Sequence, residues 1–157
     1  MALTAEAIKK SYPLPVYNYK VEVAGVAIAF TEVSGLTIEY DTTTYNESLT
    51  VSGISGSRRL LMPTQPKPVT ITLKKGVVVA TSVATLYKWI SKITLNQVEK
   101  KDVYVRLCDE KGSAVISWKV INAFPTKLDA PTFDAKSNDA AIESFTLMAD
   151  GVVIEEA

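Results

Sequence analysis

The sequence predicts a mainly β fold with one α-helix, and three observations carry that reading. Across residues 102–154, strand-like runs (DVYVRLC, AVISWKVINAFPTKL, DAAIESFTLMADGVVI) follow one another with only short turns such as DEKGS between them. Earlier in the chain, short alternating runs are bounded by Ala-Gly, Ser-Gly and proline-rich stretches. Only residues 82–93 space their apolar side chains as a helix does.

Taken in order, residues 4–10 can form one helical turn capped by Thr4, too short to hold alone. Pro13 and Pro15 then impose an extended lead-in. Tyr17, Tyr19, Val21 and Val23 share one strand face, Ala24-Gly25 supplies a turn, and Val26, Ile28 and Phe30 alternate on the return. Leu36, Ile38 and Tyr40 alternate with Thr37, Glu39 and Asp41, which predicts another half-buried strand.

From about 43 to 68 the alternation fails, and the segment is rich in Gly, Pro and hydroxyl residues. A loop of this length within a compact domain is an insertion without structure or an extended hairpin reaching outward. Leu49, Val51, Ile54, Leu60, Leu61 and Met62 favour the hairpin, since a solvated loop has no use for them. They are satisfied if this arm docks on a neighbouring subunit.

Val69, Ile71 and Leu73 then alternate with Thr70, Thr72 and Lys74. In the helix that follows, Val83, Leu86, Tyr87, Ile90 and Ile93 form the apolar stripe, capped by Thr81 or Ser82, with Trp89 flanking it. Beyond it, Val103, Val105 and Leu107 face opposite Tyr104, Arg106 and Cys108. The long strand after the DEKGS turn sets Ile116, Trp118, Val120, Asn122 and Phe124 on one side, and Pro125 demands a bend, bulge or edge. In the last run Phe145, Leu147 and Ala149 oppose Ile142, Thr146 and Met148, so both faces are partly apolar and the outer one is expected to meet another subunit.

The totals narrow the function. A chain of 157 residues reads as one domain, 1–157, and 47% apolar residues suit a globular core. Seventeen basic and seventeen acidic residues cancel, which leaves no net field to hold nucleic acid or an anionic membrane, and neither specific nucleic-acid binding nor membrane insertion is expected. Cys108 is the single cysteine and reads as an inert strand thiol. Residues 1–15 lack the pattern of a secretory signal, so assembly in the bacterial cytoplasm is expected.

The absence of histidine excludes Ser-His-Asp and Cys-His nucleophile systems and histidine-based metal sites. The adjacent carboxylates Asp109/Glu110 and Glu155/Glu156 read as solvated charge on a turn and a tail, and SGISGSRRL lacks the spacing and Lys-Ser/Thr of a P-loop. The basic pairs Arg58-Arg59, Lys74-Lys75 and Lys100-Lys101 read as solvated or intersubunit charge. No catalytic residue, cofactor or metal is expected.

Several stretches resemble one family when read in order: YPLPVYNYKVEV, FTEVSGLTIEYDTTTY, ITLKKGV, LYKWISKITLNQVEKKDVYVRL and SWKVINAFPTKLDAPTFDAKSNDAAIESFTLMADGVVI. The chain is similar to the inner tube proteins of extracellular contractile injection systems, of the antifeeding prophage and Photorhabdus virulence cassette type. These are relatives of contractile-phage tail tube proteins and of the haemolysin-coregulated protein of type VI secretion. The departure spans residues 46–66, where Met62-Pro63-Thr64 stands in place of an MPG-type turn and SLTVSGISGSRR is extra.

The resemblance implies two packed antiparallel sheets forming a β-barrel-like tail-tube fold, with one flanking helix and the arm at about 43–68. It implies homo-hexameric rings stacked into a hollow tube inside a contractile sheath, with baseplate or hub and tube-terminating proteins as partners. Protein effectors would occupy the lumen, and the finished particle would be released from the cell. Contacts between neighbours and rings are expected at Tyr45, Leu49, Val51, Ile54, Arg58, Arg59, Leu60, Leu61 and Met62. Two other readings remain: a phage tail tube conducting DNA, and a monomeric β-sandwich that binds a ligand.

Overall fold

The computed structural model describes residues 2, 4–48, 56–95 and 97–156. The expected hairpin forms from β1 (Tyr19–Val23) and β2 (Val26–Ile28), closed by the pair Val23 and Val26. Ala24 and Gly25 both take positive φ, 51° and 84°, as a two-residue turn matched to strand twist requires. The other strands of this sheet are β3 (Glu32–Ser34), β6 (Val69–Gly76), β7 (Lys101–Cys108), β8 (Ala114–Asp129), β9 (Ile142–Ala149) and β10 (Gly151–Glu156). All eight join antiparallel in the order β2-β1-β7-β8-β9-β6-β3, with β10 also beside β8.

The sheet bends at β8. Residues 116–121 of that strand pair with β10, and residues from Phe124 onward pair with β9. Between them Asn122 takes φ 54° and the register against β7 slips, so Val120 and Ala123 are both buried although three residues apart. The strict alternation expected from Ile116 to Phe124 therefore breaks, and Asn122 is exposed. A second slip follows at Pro125, which is buried, in keeping with a residue that has no N–H to donate to a ladder.

These kinks fold the two halves of the sheet toward each other. Val21, Val103 and Val120 meet Ile71, Leu73, Phe145 and Leu147 in one core. A further slip between Leu107 and Cys108 turns the Cys108 thiol inward, away from the face on which simple alternation put it.

At the N-terminus α1 (Ala5–Ser11) is capped as expected, with the Ala7 N–H donating to Thr4 Oγ1 at 3.2 Å. The second helix, α2, comprises Val79–Thr81, a π-helical stretch Ser82–Tyr87, and Lys88–Ser91. The wider π turn rotates the phase of the apolar stripe. Ser82, Leu86 and Trp89 face the core, while Val83 and Tyr87, assigned to the stripe, are 52% and 56% exposed. Trp89 is therefore a core residue and not a flanking one, 3% exposed, whereas Trp118 packs half-buried at the margin.

The strand expected over residues 36–41 does not form. The ladder lies upstream at β3, and Gly35, with φ 92°, turns the chain away from β6. A Cβ there would sit 2.3 Å from the Thr70 carbonyl oxygen. Gly35→Ala is expected to destabilise the subunit by more than ~1 kcal/mol, read as a lower urea midpoint, because strain adds to the clash. After this turn the chain enters β4 (Tyr40–Ser48), which pairs only with β5 (Ser57–Pro66) in a separate two-stranded sheet. The failed alternation thus belongs to a long hairpin arm.

Candidate functional site

The arm carries apolar side chains on both faces, and no other described element packs extensively over them. Tyr45 pairs with Leu60 and Thr43 with Met62, and cross-strand partners share a face. Leu61 and Arg59 lie on the other face, opposite Thr44 and Asn46. Tyr45, Leu61 and Met62 are 49%, 69% and 41% exposed, and neither arm strand packs extensively on another element. A two-stranded ribbon of this kind is marginal in water by itself.

Six of the nine residues expected at subunit contacts, Tyr45, Arg58, Arg59, Leu60, Leu61 and Met62, lie together along this arm. Leu49, Val51 and Ile54 lie outside the described residues. Near the tip Arg58 approaches Glu47 at 3.9 Å, and no carboxylate pairs with Arg59 among the described residues.

The arm's root is held by polar contacts. Lys67 Nζ lies 3.3 Å from Glu39 Oε1 and 3.6 Å from Asp41 Oδ1, and Thr64 Oγ1 donates to the Asp41 carbonyl at 2.9 Å. The Glu39 hydrogen bond, followed by the charges of Glu39 and Asp41, raises the Lys67 ammonium above its ordinary pKa. Lys67 therefore remains cationic throughout the neutral range.

At the far end of β7 and β8 from that root, an apolar groove of about 520 Å³ runs between α1, Tyr12–Tyr17 and the turn after Cys108. Asp109 fixes the turn: its Oδ1 accepts from the Lys111 and Ser113 N–H groups, each at 2.9 Å, and Asn18 Nδ2 donates to its carbonyl at 2.6 Å. Asp109, read in the sequence as solvated charge on a turn, is instead 8% exposed and holds that turn together.

Other uncovered surface surrounds the barrel. β2 and β10 each pair on one side only among the described residues, and Val153 and Ile154 on β10 are exposed. Ile142 and Met148 are exposed on the outer face of β9, where the sequence placed apolar side chains. Tyr104 on β7 has Arg106 and Lys119 over its ring at 4.8 and 5.8 Å, with Arg106 also 3.4 Å from Glu22.

Sequence reasoning missed a buried polar cluster. Lys75, read there as surface charge, is 4% exposed, with Nζ 3.6 Å from Glu143 Oε1 and 3.2 Å from Ser82 Oγ. Ser82 Oγ donates to Glu143 Oε1 at 2.5 Å and accepts from the Val78 N–H at 3.1 Å, which moors α2 to the β6–β9 ladder. The signal was available: Lys75 continues the buried phase of Val69, Ile71 and Leu73, and Glu143 that of Phe145 and Leu147.

Among the described residues no cluster of acidic or thiol side chains is placed to hold a metal, and no helix is long and apolar enough to cross a membrane.

The profile of the T4-like virus tail tube protein gp19 family matches residues 15–153. A chain of the PVC sheath-tube complex, from an extracellular contractile injection system in the extended state, is 41% identical. The match covers 99% of this chain and 100% of that one, with a TM-score of 0.85. A chain of the anti-feeding prophage tube-terminating cap complex is 43% identical over 100% of both chains, with a TM-score of 0.83. A chain from the PVC sheath/tube terminator is 44% identical over 92% of this chain and 98% of that one, with a TM-score of 0.80. The search of curated proteins returned no significant match.

Proposed function

The chain belongs to the T4-like virus tail tube protein gp19 family, a structural and non-enzymatic family, and from that premise we propose that it is the inner tube subunit of an extracellular contractile injection system. The observation that carries this is the full-length likeness, at 41–44% identity, to chains of sheath-tube and tube-terminator complexes. In this reading six copies close into a ring, rings stack into a hollow tube, and protein cargo in the lumen is delivered when a surrounding sheath contracts. Sheath, baseplate and terminator proteins are the partners, and the particle works outside the cell that made it.

The subunit's surface supports the reading. Head-to-tail contacts close a ring by rotation and extend a filament by translation. The free sides of β2 and β10 supply strand edges for pairing between neighbours. The exposed apolar residues of the arm, of β9 and of α2 need covering, on the scale of thousands of Å² typical of permanent assemblies. A neutral subunit limits repulsion when many copies stack.

Negative-stain images of the concentrated protein are expected to contain rings with a central hole and stacks of them. A stable monomer in size-exclusion chromatography, even with sheath and baseplate present, would overturn the proposal. Deleting residues 46–65 is expected to leave a folded subunit with a native-like β circular-dichroism spectrum but to weaken ring stacking. Tubes of unchanged length from that variant would remove the arm from the assembly.

A further inference from the structure

We propose that Phe133 of one copy fills the apolar cleft between β3 and the β1–β7–β8 half of the barrel in the neighbouring copy of the same ring. This rests on reading the chain as a ring-forming tube subunit and adds which two surfaces close the ring.

Phe133 is 85% exposed in the connection from β8 to β9. That connection is braced from within. Asp134 Oδ1 accepts from the Lys136 N–H at 3.0 Å, the Ser137 N–H donates to the Asp134 carbonyl at 3.1 Å, and the Asp139 N–H donates to Ser137 Oγ at 3.1 Å. The aromatic ring is thus carried on an ordered turn, so little conformational freedom is lost when it is buried. The cleft holds about 420 Å³ and is lined by Val33, Leu36, Val105, Leu107 and Trp118, with Glu32 at its rim. It opens where the three-residue β3 gives way to the Gly35 turn, leaving Trp118 half-buried. An aromatic side chain seated in an apolar pocket is the usual anchor of a protein interface.

Position singles the pair out. Glu32 pairs with Lys74, Lys74 with Ser144, and Ser144 with Asp129, so these residues form one row across β3, β6, β9 and β8. The cleft adjoins one end of the row, and the Phe133 connection begins at the other. Neither β3 nor residues 124–129 of β8 has a strand partner on its outer side among the described residues. Surfaces at one level on opposite sides meet when copies are related by rotation, which closes a ring. Leu95, 91% exposed, does not meet this condition. Its turn lies beside Phe124 and Pro125, in the row of Met148 and Thr70, about 13 Å further along the strands. The cavity at Tyr40 and Val69 lies further along still, and the groove beside α1 sits at the ends of β1 and β7, outside this row. Charge agrees with position. Lys136 is exposed on the Phe133 turn with no ion-pair partner among the described residues, and Glu32 at the cleft rim carries the opposite sign.

The test is a cysteine pair, Phe133→Cys with Val33→Cys, in a Cys108→Ala background, oxidised in assembled rings. Two strand spacings, about 10 Å, separate β3 from β9 within a subunit, beyond disulfide reach, so a link joins two copies. The expected result is a ladder of linked multimers on non-reducing gels that ends at the size of one ring, with no ladder from Leu95→Cys and Val33→Cys. Phe133→Ala is expected to keep the wild-type urea midpoint while raising the protein concentration needed for rings by about tenfold or more. The docking is overturned, with the tube reading intact, by rings that form without the ladder, by a ladder from Leu95→Cys instead, or by one running past a single ring. It is equally overturned if Phe133→Ala forms rings at the wild-type concentration, or unfolds at lower urea because the ring packs on its own subunit. A wild-type protein that forms neither rings nor tubes sinks the tube reading and the docking with it.

Discussion

Trp89→Ala is expected to lower the unfolding free energy of the subunit by about 3–5 kcal/mol, the scale for truncating a large buried aromatic. Trp89 is 3% exposed, its ring lies 5.9 Å from that of Phe145 at an interplanar angle of 53°, and its Nε1 donates to the Glu99 carbonyl at 2.7 Å. Truncation empties the space between α2 and the core and leaves the Glu99 carbonyl without that donor. Lys101 also loses the ring beneath its ammonium, 5.0 Å away. The measurement is a shift in urea midpoint at constant slope. The comparison is Trp118→Ala, whose half-buried side chain at the barrel margin calls for a smaller loss. Equal losses for the two tryptophans would show that α2 does not seal the core.

The second large effect concerns Lys75. Lys75→Met is expected to cost about 3–5 kcal/mol, because it leaves Glu143 as a buried charge without its cation. Lys75→Met combined with Glu143→Leu is expected to recover most of that loss, since an apolar pair of similar volume is tolerated where an ion pair was. Two independent losses that simply add would mean that the groups do not act as a pair. The cluster also links the π-helical turn of α2 to β6 and β9 through Ser82, so Ser82→Ala should loosen the helix N-terminal end. Faster amide exchange at Val78 and Val79 relative to the barrel strands is the readout.

Most strands were legible because period-two alternation is a local property. β1, β2, β6, β7 and β9 lie where the pattern put them, and the outward apolar residues Ile142 and Met148 were visible as a second wet-face anomaly. The misread positions share a cause. At Asn122, Leu107/Cys108 and the π turn of α2, the backbone gains or shifts one residue of phase, and the side chains downstream change face, whereas the slip at Pro125 was expected from its missing N–H. Where no proline stands, nothing in composition marks such a slip, and pairing partners reveal it.

The arm was legible from its surplus of apolar side chains in a turn-rich stretch, though its strands were not. β4 and β5 are stabilised by each other and bury almost nothing, so no core pattern was imposed on them. The amino-acid sequence by itself determined the β class, the absence of histidine-based chemistry, the likeness to tube proteins and an arm carrying a surplus of apolar side chains. The tertiary structure decided which tryptophan fills the core, that Lys75 and Glu143 are paired inside, and that the arm root and the α1 groove stand at opposite ends. The reason is physical: apolar content and local period are written residue by residue, whereas burial and facing depend on where bulges let distant strands meet.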